Sequence, residues 1–270
     1  MDEKFLTKKA NWVRDEILRV CIPNGAGHIA PSLSCVDILT ALYYGNLSYR
    51  VGELQWEDRD RLIVSKAHGV YGLYPILVDL GIMPKEEWDN YYKEGSRLWG
   101  CMEQDLEYGI EAGCGSLGHG LPIAVGLAFG AKLQGKSYYT FCLLGDTEME
   151  EGTTWEALQF AVKHSLKNLI LLIDKNGLAA MDHIINIMDK DKNDLIKRLE
   201  GFGLSPIICP GHDVAKLANY MKMAKETKED RPQVIVADTI KGYGLKCMED
   251  MAKFHFRIPD ENDLKMGKTY

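Results

Sequence analysis

Between positions 5 and 20, apolar residues fall at 5, 6, 10, 12, 13, 17, 18 and 20 with charged residues between them. That spacing follows the helical period and predicts an amphipathic helix over 5–20. The same reasoning predicts helices over 34–44, 69–79 and 213–229. Residues 138–144, 169–173 and 233–238 are different, being short apolar runs with little polar interruption. Such runs are expected of strands covered on both faces of a parallel sheet, and 61–65 predicts another strand. Between the runs at 138 and 169, Trp155, Leu158, Phe160, Ala161 and Val162 predict a helix over 153–165, with Thr153 or Thr154 available near its N-cap. Strand, helix and strand make a βαβ unit. The charged stretch 189–194 reads as a loop or a helix start. The fold class is therefore α/β, a mostly parallel sheet flanked by helices, in which ligands collect at the carboxyl ends of the strands. No repeat, low-complexity tract or Pro/Ser-rich linker interrupts the pattern, so 1–270 reads as a single domain.

Composition narrows the function classes. With 46% hydrophobic and 26% charged residues, the chain has the balance of a protein with a packed core. A net charge of −7 and the lack of any Lys/Arg block argue against nucleic acid as a partner. The longest apolar stretches, such as 121–129, are broken by Gly and Pro and fall short of the roughly 20 residues that span a bilayer, so no membrane association is expected. The charged start, from Met1 to Phe5, lacks the apolar core of a signal peptide. Seven scattered cysteines without a C-x-x-C pair suit reduced thiols, and the expected location is cytoplasmic.

Two strand ends carry the candidate chemistry. The run at 138 ends in Gly145-Asp146 and the run at 169 ends in Asp174-Lys175-Asn176-Gly177. Neighbouring strands of a βαβ unit end side by side, so the side chains of Asp146 and Asn176 converge. A carboxylate, an amide oxygen and a backbone carbonyl suit octahedral Mg²⁺, which completes its shell with phosphate oxygens and water. Gly145, Gly152 and Gly177 permit close approach of a diphosphate. Taken alone, Asp146 and Asn176 read better as a helix cap and a turn residue than as metal ligands.

The wider context decides between these. The segment Gly145-Asp146-Thr147-Glu148-Met149-Glu150-Glu151-Gly152, followed by Asn168 through Asn176-Gly177-Leu178, resembles the thiamine diphosphate signature that opens with Gly-Asp-Gly and closes on Asn about thirty residues later. More narrowly, the chain resembles the N-terminal, diphosphate-binding half of transketolase, in the form split into two polypeptides. Gly27-His28, Leu33-Ser-Cys-Val-Asp-Ile-Leu39, Ser65-Lys-Ala-His68-Gly69, Gly115-Ser-Leu-Gly-His-Gly-Leu-Pro-Ile-Ala-Val-Gly126, Lys241-Gly-Tyr-Gly244 and Phe254-His255 follow in the family's order.

The resemblance implies a thiamine diphosphate-binding fold and thiamine diphosphate held through Mg²⁺ or another divalent ion such as Ca²⁺ or Mn²⁺. It makes Asp146, Asn176 and the carbonyl of Leu178 the metal ligands. His28, His68 and His255 match histidines that handle sugar hydroxyls and protons, with His68 also against the cofactor. Gly115, Leu117 and Gly118 match the loop packed on the cofactor, Gly145 and Thr147 flank the diphosphate turn, and Glu151 matches an acidic residue at the dimer contact nearby. The sequence departs from the family at Thr147, where a third glycine is usual. Cys101 stands where a donor-recognising histidine is usual, and Phe256 where glycine is common, narrowing the site or shifting His255.

The implied activity is transfer of a two-carbon ketol group from a ketose, often phosphorylated, to an aldose. The chain stops near the end of the diphosphate-binding domain, so the implied partner is a separate C-terminal, pyrimidine-binding subunit in an α2β2 complex. Two alternatives accompany this expectation. One is a specialised carboligase of the same mechanism with an unusual ketose or a 2-oxo acid as donor. The other is a non-catalytic binding or regulatory subunit. The remaining histidines read as structural: His119 at a helix start, and His164, His183 and His212 as surface or cap residues. Cys101 has no identifiable base and reads as a small neutral replacement.

Overall fold

The computed structural model describes residues 2–270; Met1, the first residue of the charged start, lies outside the described residues. The apolar runs form β1 (Arg61–Val64), β2 (Thr140–Gly145), β3 (Leu169–Lys175) and β5 (Gln233–Asp238), and a further strand, β4 (Ile207–Pro210), lies between β3 and β5 in the chain. All pairings are parallel, in the order β1-β2-β3-β5-β4. The hydrophobic pattern did not single out β4. It is an edge strand in which only Cys209 is buried, so the continuous apolar signature of a central strand is missing. Its last residue, Pro210, has no N–H to give, which an edge tolerates.

Both faces of the sheet are covered. Along β2, Phe141 and Leu143 enter one core while Cys142 and Leu144 enter the other; β3 divides Ile170 and Leu172 from Leu169, Leu171 and Ile173. The first core takes Leu6, Val13 and Ile17 from the helix Glu3–Asn24. The second takes Leu121, Ala124 and Ala128 from the helix Gly120–Leu133 and Leu158 from the helix Gly152–Lys163. Each fully buried Leu or Ile contributes about 1.5–3 kcal/mol, and this burial sets the strand positions on which the site depends.

Several boundaries differ from expectation, for tertiary reasons. The segment predicted over 34–44 is two helices, Ile29–Ser34 and Val36–Tyr43, that meet at Cys35. At that break the Ser34 hydroxyl donates to Asp174 Oδ2 (2.6 Å), a contact no local pattern reports. The segment 69–79 is a 3₁₀ turn, Ala67–Gly72, followed by the helix Tyr74–Asp79, whose first turn holds Pro75. The helix Gly152–Lys163 is not capped by either threonine. Thr153 donates to the carbonyl of Gly118 and Thr154 to that of Glu148, so both fasten the helix start to the site. The helix Val214–Glu226 is capped by Asp213, and 189–194 is a loop leading into the helix Asp194–Gly201. No described helix is long and apolar enough to cross a membrane, and all seven cysteines are free thiols.

Candidate functional site

The β2–β3 register sets Gly145 opposite Asp174, and the N–H of Asp146 donates to the Asp174 carbonyl (3.2 Å). Two carboxylates therefore leave adjacent strand ends, and their surroundings treat them differently. Asp174 is fully buried and meets the Lys66 ammonium, with the hydroxyls of Ser34 and Thr239 also donating to it. Burial pushes its carboxyl up, but Lys66 and these donors outweigh burial and hold it below the ordinary carboxylate value. Asp146 is also buried, and among the described residues it forms no ion pair. It accepts only backbone N–H groups, from Gly177 (2.5 Å) and Thr147 (2.8 Å). Burial, reinforced by the Asp174 charge, pushes its carboxyl up to about 6. A buried acid left without a cation is a place where an external cation belongs.

Asp146 opens onto a cavity of about 260 Å³ at the carboxyl ends of β2 and β3. Asn176 and Leu178 line it too, so the three ligands expected from the sequence are brought to one cavity. Asn176 Oδ1 accepts the N–H of Leu178 (3.1 Å), the Asx turn that also explains a purely structural asparagine. The described residues hold no cluster of three His, Cys, Asp or Glu side chains able to bind a metal. One carboxylate, one amide and one carbonyl remain, which fits Mg²⁺ that draws its other ligands from phosphate and water. Gly177, at φ 74, has no atom within 4 Å of where a Cβ would stand, and Gly115 is equally open, leaving backbone accessible to a diphosphate. Thr147 lines the cavity with a negative φ, so its backbone does not require the glycine that the family usually places there.

His28, His68 and His255 line the same cavity as a triangle, with ring centroids 5.5, 5.4 and 5.5 Å apart. His28 caps the helix Ile29–Ser34, His68 lies in the 3₁₀ turn after β1, and His255 follows the 3₁₀ turn Ala252–Phe254. Burial, assisted by Lys241, pulls His28 and His255 down to about 4, and burial together with Lys66 pulls His68 well below its ordinary value. All three are neutral at physiological pH. The Phe256 ring stands 4.7 Å from that of His28, edge to face, and its carbonyl lies only 2.2 Å from where a Cβ on Gly27 would be. Cys101 lies on the cavity wall, and burial raises its thiol, so it stays protonated at neutral pH.

These shifts make a testable statement about acid stability. An unfolded chain protonates the imidazoles near 6.5 and the folded chain takes up the same protons only near 4, so acid favours unfolding across that interval. Replacing His28 and His255 together with glutamine removes this uptake. The double variant is expected to lose less stability than the wild type as pH falls from 6.5 to 4, read as the change in urea midpoint. Equal acid losses in the two proteins would mean that the folded rings titrate normally.

Not every expected residue faces the cavity. Gly118 turns away from it and gives its N–H to Glu148 Oε1 (2.8 Å), while Glu151 is exposed at the N-cap of the helix Gly152–Lys163. His212 is neither a surface nor a cap residue. It is stacked on Tyr243 at 3.6 Å, pairs with Asp37 (2.9 Å) and accepts the N–H of Ile240. His119 and His183 stand at helix N-caps and His164 at a C-cap, as expected. Three residues to which the sequence pattern assigns no role organise the site. Lys66 neutralises Asp174. Glu148 ties Ser65, Gly118 and Gly145 together. Lys241 bonds the carbonyls of Leu178 and Ala179 and the ring of His255. Each lies inside a motif quoted above, which is the only signal the sequence offered.

Comparison with known proteins accords with this geometry. The family model described as transketolase, thiamine diphosphate binding domain, matches residues 10–269. An apulose-4-phosphate transketolase subunit of Actinobacillus succinogenes is 35% identical over 264 residues, spanning 97% of this chain and 94% of that protein. Transketolase-like protein 2 of Bos taurus is 34% identical over 265 residues, which is 96% of this chain and 41% of that protein. The transketolase structure from Campylobacter jejuni superposes with a TM-score of 0.87 at 29% identity, covering 98% of this chain and 42% of that one. The chain thus spans about two fifths of full-length transketolases and nearly all of a relative that is itself one component of a divided enzyme.

Proposed function

Because the chain belongs to the transketolase family through its thiamine diphosphate-binding domain, we propose that it is the cofactor-holding subunit of a two-chain transketolase. It moves a two-carbon ketol group from a ketose, often phosphorylated, to an aldose. The observation that carries this reading is the buried carboxylate of Asp146, without an ion pair, lining one cavity together with three neutral imidazoles.

In this reading Asp146, the amide oxygen of Asn176 and the carbonyl of Leu178 hold Mg²⁺, and the diphosphate lies along Gly115, Leu117, Gly145 and Thr147. Thiamine diphosphate, when bound, supplies the electron sink for carbon–carbon cleavage. The chain's own side chains bind and orient the sugar. A neutral imidazole carries one N–H and one lone pair. His28, His68 and His255 can therefore bond sugar oxygens and move hydroxyl protons at physiological pH without first losing a proton themselves. Leu117, Leu178 and Ala179 give the cavity apolar walls that limit water.

The reading includes a separate pyrimidine-binding subunit, two copies of each chain forming the complex, with the exposed Glu151 at a contact between chains. Two relatives matched over nearly their whole length carry the name of one subunit of a transketolase, which supports a companion chain. Met181 and Phe256 are exposed beside Ala180 and His255 at the cavity mouth, which supports a protein cover there. A second reading keeps the chemistry and changes the donor. It is favoured by Cys101, a small thiol on the cavity wall where the family usually offers a histidine. A purely regulatory subunit fits less well, because such a chain gains nothing from an uncompensated buried carboxylate.

The chain purified with the product of its neighbouring reading frame, Mg²⁺ and thiamine diphosphate is expected to turn over a ketose donor, and the chain alone is not. The donors to compare are xylulose 5-phosphate, fructose 6-phosphate and apulose 4-phosphate, the last named in the matched relatives. Turnover by the chain alone would overturn the two-subunit reading. Failure of the first two donors alongside success of the third would replace the general donor assignment with the specialised one.

A further inference from the structure

Lys241 is 2% exposed and stands on the segment that follows β5. Its ammonium has three hydrogens, and three acceptors surround it: the carbonyls of Leu178 (3.3 Å) and Ala179 (2.9 Å), and Nδ1 of His255 (2.9 Å). The main chain holds this arrangement rigidly. The Lys241 carbonyl accepts the N–H of Asp250 (2.9 Å), and the next residue, Gly242 at φ 79, passes so close to Met248 that a Cβ would fall 2.4 Å from its carbonyl oxygen. His255 is held in turn by its own N–H, which donates to Ala252 (2.9 Å). The ends of the lysine–imidazole contact are therefore both anchored.

An ammonium facing Nδ1 at hydrogen-bond distance requires a lone pair there, because a protonated Nδ1 would set N–H against N–H. The hydrogen bond made by one ring nitrogen decides where the proton of the other resides. We infer that Lys241 is a positioning residue that fixes His255 as the Nε2–H tautomer, so that this ring presents a hydrogen-bond donor to the substrate cavity. His28 and His68 differ: among the described residues neither has a hydrogen-bonded ring nitrogen, and their tautomers stay free to follow the substrate. Proton abstraction from a sugar hydroxyl therefore falls to His28 or His68, while His255 donates to a substrate oxygen. This division of labour rests on the ketol-transfer reading above, whereas the tautomer itself does not.

The test uses the chain carrying ¹⁵N-labelled histidine, assembled with its partner subunit, Mg²⁺ and thiamine diphosphate at neutral pH, with the His255 signals assigned through H255Q. In the wild type, Nδ1 of His255 is expected to be the unprotonated nitrogen. K241M should move the tautomer population toward Nδ1–H and lower kcat/KM for ketol transfer by about 10–100-fold. K241R, which retains a donor, should restore the wild-type tautomer. A protonated Nδ1 in the wild type, or a tautomer unchanged in K241M, would overturn the inference. Weakened cofactor binding in K241M with an unchanged tautomer would also overturn it and assign the lysine to the cofactor. Absence of ketol transfer in the wild-type complex would sink the function proposed above and leave the spectroscopic result to decide this one.

Discussion

Replacing Asp146 with alanine is expected to abolish metal-dependent cofactor binding and ketol transfer, while the folded chain without cofactor becomes no less stable. The two halves of this result have the same origin. Of the two carboxylates lining the cavity, Glu148 is already taken up by Ser65, Gly118 and Gly145, so in the proposed metal site the loss of Asp146 leaves only a neutral amide and a carbonyl to attract a divalent ion. Without a metal, the ionised carboxylate is a burden on the fold. Burial and the neighbouring Asp174 charge raise its folded pKa from 3.8 to about 6, so the folded state holds its proton more tightly than the unfolded state. The stability lost to this group grows as pH rises from 3.8 to 6 and is complete above 6. The alanine variant escapes that loss, although the N–H groups of Gly177 and Thr147 lose their acceptor. Calorimetry with Mg²⁺ and thiamine diphosphate in the assembled complex, together with urea unfolding of the cofactor-free protein above pH 6, reads both halves. Undiminished cofactor binding would remove Asp146 as the metal anchor.

Lys66→Met is expected to have the opposite profile, a loss of about 3–5 kcal/mol in folding stability, because it strands a buried charge. Lys66 and Asp174 are 1% and 0% exposed, and the ammonium also bonds the carbonyl of Pro31 (3.0 Å). Without the lysine, Asp174 keeps only the hydroxyls of Ser34 and Thr239 and must either bury an unpaired charge or take up a proton. The double variant K66M/D174N should recover much of the loss, since a neutral amide needs no counter-charge. Urea midpoints of the wild type, the two single variants and the double variant give the coupling directly. A single variant costing less than about 1 kcal/mol would mean that solvent reaches Asp174 and the pair is not buried in solution.

These two aspartates illustrate what the chain disclosed in advance and what it withheld. The positions of Asp146 and Asn176 at adjacent strand ends were legible, because two unbroken apolar runs can hardly be anything but strands covered on both faces. The unequal treatment of the two carboxylates was not. Lys66 finds Asp174 across 108 residues, and Lys241 finds Leu178 across 63, and no periodicity reports pairings of that range. His212 was misjudged for the same reason, since its partner Asp37 lies 175 residues away. β4 escapes the pattern because an edge strand preceded by Pro206 and ending in Pro210 exposes Ile208 and buries little. The motifs point to the three cavity histidines, but their mutual spacing and neutral state come from the assembled fold and its burial.

The contact between Phe256 and Gly27 carries a lesson for anyone remodelling substrate scope. A Cβ at position 27 would lie 2.2 Å from the main-chain oxygen of Phe256 and 2.9 Å from its ring, so the oxygen forbids a side chain there even when the ring, which also leans over His28, is trimmed. A mutant library aimed at bulkier sugars should therefore randomise 256, where trimming the ring opens room without disturbing the backbone, and keep 27 invariant, because every substitution there collides with an atom that no mutation can delete.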